Sequence, residues 1–148
     1  MEAVVCSLRR VSRLLLLLPL LVVAACSPTP DALSTADQED LLRGLCEAIA
    51  AIDGVAGDAA DAAIGTAEAA FFTRAHAPLH TLAGRLTDDG TVSTAAELLV
   101  AKQRVESSFD QGLPISILHD NLATLLDAAD AGLEAVGLRH LDCSGSSQ

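Results

Sequence analysis

From Ser34 onward, apolar residues recur at helical spacing, with no strand-like alternation. Leu41, Leu42, Leu45, Ile49 and Ile52 share one face of a stretch running from Ser34 to Asp53. Thr35 and Gln38 have capping-box spacing at its start, and "DGVAGD" breaks it. A second helix is expected from Asp58 to Thr87, ending at "DDG". A third has Thr94 as its N-cap, Glu97 three residues on, and Leu98, Val105 and Phe109 inward. "DQGLP" ends the third helix. The fourth begins at Pro114, a favoured first-turn residue, and carries Ile115, Leu118, Leu122, Leu125, Leu126, Ala129, Leu133 and Val136. Four helices with short connections predict an all-α, antiparallel up-down four-helix bundle.

Residues 1–25 have another character. Arg9, Arg10 and Arg13 precede "LLLLLPLLVV", an apolar run of signal-peptide length and too short for a comfortable membrane span. Val23, Ala24, Ala25 and Cys26 follow. This combination resembles the signal and lipobox of bacterial lipoproteins, a likeness confined to residues 1–26. The resemblance implies cleavage before Cys26 and a diacylglyceryl group on its thiol. It also implies a lipid-anchored protein on the extracytoplasmic face of a cell membrane, periplasmic or at the cell surface. Residues 26–33 then form the lipidated cysteine and a short Ser/Pro/Thr tether, and residues 34–148 one domain of ordinary size.

Charge sharpens the picture. The whole chain carries −11, and residues 1–25 contain three Arg and one Glu, a net +2, so the remainder carries −13. Such a domain is repelled by anionic headgroups and by nucleic acid, for which it offers neither a basic patch nor stacking aromatics. The expected partners are the membrane, through the N-terminal lipid, and either another envelope protein or a small ligand between helices.

Once Cys6 leaves with the signal and Cys26 is lipidated, Cys46 and Cys143 remain. An even pair in an oxidising compartment predicts a disulfide. Cys46 lies about 18 Å along the first helix, and the tail "LRHLDC" is long enough to fold back and be pinned there. His140 is assigned to the packing of that tail.

The remaining chemistry centres on "AEAAFFTRAHAPLH". At a uniform 100° per residue, Ile64, Phe71, Ala75, Leu79, Leu82 and Leu86 face the core, with Glu68 among them. Phe72, His76 and His80 climb from that face toward solvent, and Pro78 predicts a kink. Lys102 falls among the apolar residues of the third helix with Glu106 just beyond. His119 flanks the leucine stripe of the fourth, near Asp130. Buried charges should pair, so Glu68 is expected to meet Lys102 and the histidines to bond carboxylates or carbonyls. The alternative is a Zn or Cu site on His76 and His80, completed by Glu68, Glu106 or His119. No Gly-x-Ser-x-Gly, phosphate loop or free catalytic cysteine occurs in the mature chain. The expectation is a non-catalytic binding or interaction module without a cofactor, with the metal-binding lipoprotein as the alternative.

Overall fold

A computed structural model describes residues 33–139 and Cys143. The signal, Cys26, most of the tether and His140 lie outside the described residues. Those described are helical, with no strand among them. The helices are α1 (Thr35–Ile52), α2 (Ala60–Ala70), α3 (His76–Asp88), α4 (Val92–Asp110) and α5 (Ile115–Ala135). A π-helical turn, Phe71–Ala75, joins α2 to α3, so the two form one rod. A 3₁₀ turn, Gly57–Ala59, leads into it. No helix among the described residues is long and apolar enough to cross a membrane.

The capping box of α1 lies one residue earlier than the spacing of Thr35 and Gln38 predicts. Ser34 is the N-cap. Its hydroxyl accepts from the Asp37 amide at 3.1 Å, and Asp37 Oδ2 accepts from the Ser34 amide at 2.9 Å. Leu33, expected in the tether, is buried against the core.

Helix α4 also starts early, with Thr91 rather than Thr94 as N-cap. The preceding turn explains this. Gly90 has φ +81°, the left-handed conformation that a Cβ disfavours. Its N–H bonds the Thr87 carbonyl and that of Thr91 bonds Leu86, the two bonds of a Schellman cap. The chain is thereby turned at once into α4, and the Thr91 hydroxyl also donates to Leu86 O at 2.8 Å.

Helix α1 packs on α2 and the π-turn, α3 on α4, α4 on α5, and α5 on α1. Their shared core is built from Leu41, Leu45, Phe71, Leu79, Leu82, Leu86, Leu98, Val105, Leu118, Leu122, Leu125 and Leu133. Many other buried positions are alanine, so helices approach closely and each residue buries modest area. Ser108 is buried but satisfied: it donates to Arg104 O and accepts from Asn121 Nδ2, both at 2.8 Å, tying α4 to α5.

The Cys46–Cys143 disulfide is present, with Cα atoms 5.4 Å apart. Cys46 is buried within α1, so Cys143 is held there.

Candidate functional site

The π-turn decides what faces the core. A π-turn adds one residue to a helix, a phase slip of about 100°. In α3 the inward residues are Pro78, Leu79, Leu82, Ala83 and Leu86. Counting back from them at constant pitch puts Glu68 inward. In the structure Ala67 is buried and Glu68 is exposed, because the extra residue turns α2 by one position. Pro78 supplies the cause. It cannot donate to the Arg74 carbonyl and its ring crowds it, so the turn ending there widens. The His76 amide accordingly reaches back to Phe71 O, five residues away. The predicted kink takes this form.

The expected Glu68–Lys102 pair is therefore corrected. Lys102, almost fully buried, donates from Nζ to Glu106 Oε1 at 2.7 Å, one turn along its own helix. His76 reaches the same oxygen across the α3–α4 contact, with Nε2 at 2.9 Å. Glu106, placed just beyond Lys102 by the sequence and named there only as a third ligand to a metal, is the hub of this network.

Aromatic rings wall this network. Phe71 is buried, with its ring centroid 5.0 Å from Phe72 and 5.9 Å from Phe109. Phe72 lies 5.4 Å from His76 and remains 42% exposed. The imidazoles of His76 and His80 sit edge to face, 4.9 Å apart. All three phenylalanines of the chain thus gather at the π-turn.

The residues named for a metal are not brought together as a set. His76 and His80 share a turn. Glu68 points to solvent, and His119 lies elsewhere, flanking a shallow pocket of about 300 Å³ between the end of α1 and the start of α5. His119 Nδ1 lies 3.9 Å from Asp120 Oδ1, at the surface. Among the described residues no group of three or more His, Cys, Asp or Glu side chains is arranged to hold a metal ion.

Electrostatics follow from the same contacts. Burial opposes ionisation of Glu106 and is its largest single influence. The hydrogen bonds and charges of Lys102 and His76 together outweigh it and hold the carboxyl below its ordinary value. His80 is shifted down, first by burial and then by the charges of Lys102 and His76, with Glu106 opposing. Asp37 is lowered by its capping hydrogen bonds to Ser34.

These shifts set a pH dependence. A folded-state pKa below the unfolded one favours the deprotonated group in the native protein, so stability is lost as pH falls. The loss should come in two stages. His80 contributes the first, below about pH 6.5, and Glu106 with Asp37 the second, below about pH 4.5. Urea denaturation at closely spaced pH values reads both, and His80→Gln should remove the first stage and leave the second.

The network also makes a mutational prediction. Glu106→Ala strands the Lys102 ammonium in a nearly dry site and should cost about 2 kcal/mol. That is less than for a fully buried pair, because Glu106 is a quarter exposed. Lys102→Met should be close to neutral, and adding it to Glu106→Ala should recover most of the loss. Equal losses for Glu106→Ala alone and for the double variant would show that the pair is not coupled.

Two shallow grooves run between helices. One, about 540 Å³, separates α1 from α2 and is lined by alanines with Glu47, Thr66, Thr73 and Arg74. The other, about 440 Å³, separates α4 from α5 and includes Glu97, Val100 and Arg104. In comparisons with known protein families, characterised proteins and solved structures, nothing matches this chain.

Proposed function

We propose that this chain is a lipid-anchored lipoprotein of the extracytoplasmic membrane face, and that its domain is a non-catalytic binding module. The observation that carries the reading is the run from Arg9 to Cys26, with basic residues, an apolar stretch and Val-Ala-Ala-Cys in order. The Cys46–Cys143 disulfide supports it, since such bonds persist outside the reducing cytoplasm. We read the helices as an antiparallel up-down bundle. Support comes from the short connections and from the closing contact of α5 with α1. The grooves beside α4 and α1 are the surfaces on which such a module would receive an envelope partner or a small ligand.

Cys26→Ser tests the anchor. The variant should accumulate as unprocessed precursor that takes up no labelled fatty acid. Normal processing and labelling of the variant would remove the proposal.

The metal-binding alternative has one observation in its favour, the edge-to-face approach of His76 and His80. Against it, the same Glu106 oxygen that could complete the site is held by the Lys102 ammonium. Stoichiometric Zn or Cu on the purified protein, lost in His76→Ala, would favour this second reading.

A further inference from the structure

Cys46 lies on the wrong side of α1 for a core residue. The inward stripe of that helix is Leu41, Gly44, Leu45, Ala48 and Ile52, and at about 100° per residue Cys46 points about 145° away from its centre. Its nearest neighbours in angle, Glu39, Arg43, Ala50 and Asp53, are all exposed. Yet Cys46 itself is only 4% exposed. It is also absent from the shared hydrophobic core. Its cover therefore comes from outside the packed helices. Cys143, half-buried and with its Cα 5.4 Å from that of Cys46, supplies it.

The path of the chain agrees. Gly137, at φ +72°, ends α5 with its N–H on Glu134 O, while the Leu138 N–H bonds Leu133 O. Leu138 packs against the core, and no described residue after it does. From Leu138 to Cys143 the chain can reach at most about 17 Å, enough to lie back along α1. The helices thus close their core before the strap is laid over Cys46.

We propose that the Cys46–Cys143 bond is a redox strap, closed on a bundle that is already folded and opened without unfolding it. Its partner is a molecule carrying a disulfide or a dithiol. In closing, the Cys143 thiolate attacks an external disulfide RS–SR, forming Cys143–S–SR and releasing RS⁻. The Cys46 thiolate then attacks the Cys143 sulfur and expels the second RS⁻. The two thiols of the chain lose two electrons and two protons, and RS–SR leaves as two RSH. Opening runs the other way. An external dithiol attacks Cys143, the less buried sulfur, and Cys46 leaves as the thiol on the outer side of α1. The proposal goes beyond the binding-module reading and does not depend on it.

The test uses the full chain purified from membranes in detergent. Cys143→Ser should keep its helix content by circular dichroism. N-ethylmaleimide should label its Cys46 within about tenfold of the rate in denaturing urea, since an outward thiol needs no opening of the core. Slower labelling, or loss of the helices, would overturn the proposal. The parent chain, reduced and returned to native buffer, should re-form the bond with oxidised glutathione at least about tenfold faster than in urea, because the folded helices hold the two sulfurs near each other. Re-formation no faster than in urea would overturn it as well. Labels are located peptide by peptide, so a reactive Cys26 would count against the lipid anchor and leave the strap standing.

Discussion

Replacing both Cys46 and Cys143 with alanine should lower the stability of the domain by about 4–5 kcal/mol. The bond spans 97 residues, so it closes nearly the entire folded chain into one loop. In the chain-entropy account, closing a loop of about 100 residues removes close to 4.7 kcal/mol of freedom from the unfolded state. Strain or residual structure would reduce that figure, which makes it the upper end of the effect. A slim core makes the loss hard to absorb. Buried positions here include many alanines and a single fully buried aromatic, Phe71. A typical domain has only about 5–15 kcal/mol in total, so the double variant should lose a large share of its stability. Chemical denaturation of the oxidised protein, the reduced protein and the double alanine variant measures this directly. Reduction and substitution should agree. A change below about 1 kcal/mol in both would mean that the tail contributes little to the fold.

Gly44→Leu should be nearly as damaging, at about 3 kcal/mol. Gly44 lies on α1 opposite the π-turn. A Cβ built there would stand 2.7 Å from the Ala75 amide nitrogen and 2.9 Å from Arg74 Cβ. Backbone cannot move aside as a flexible side chain can. Relief requires α1 to withdraw from the turn that carries Phe71, opening the core at its most crowded point. Helix propensity pulls the other way, since glycine within a helix is about 1 kcal/mol worse than alanine. The contact should win at this position and lose where a helical glycine faces open space. Gly65 and Gly84 are also helical, have ordinary φ, and would present a Cβ to open space. Gly65→Ala and Gly84→Ala should therefore each stabilise by about 0.5–1 kcal/mol. Thermal melts of the three variants give opposite signs. A Gly44→Leu protein as stable as the parent would show that α1 and the π-turn are not in close contact.

The consequences of the π-turn extend beyond one residue. It rotates α2 relative to α3, removes Glu68 from the interior and admits Ala67 in its place. It also sets Phe71 and Phe72 against His76, with Phe109 against both phenylalanines. The close approach of α1 at Gly44 and the aromatic wall beside Glu106 thus share a local cause, a proline that forbids an ordinary turn at Arg74.

Much of this was legible from pattern alone. Helical periodicity follows from local chemistry, and a stripe such as Leu118, Leu122, Leu125 and Leu133 can be buried in only one direction, so the helices and most of the core were readable residue by residue. The disulfide was readable because compartment and cysteine count leave one pair. Helix starts at Ser34 and Thr91 moved by one to three residues because several hydroxyls compete for each cap and the turn geometry selects among them. The ion pair could not be read. Whether Lys102 meets Glu68 or Glu106 depends on the rotational phase of a neighbouring helix, and one inserted residue changes that phase by a full position. Contact across helices is set by how two surfaces settle against each other, which no periodicity within a single segment encodes. The chain's own order of residues determined the helices, their greasy sides and the sulfur bridge. Only packing in three dimensions decided which charge Lys102 would answer to, why residue 44 must be glycine, and which face of α4 was left facing water.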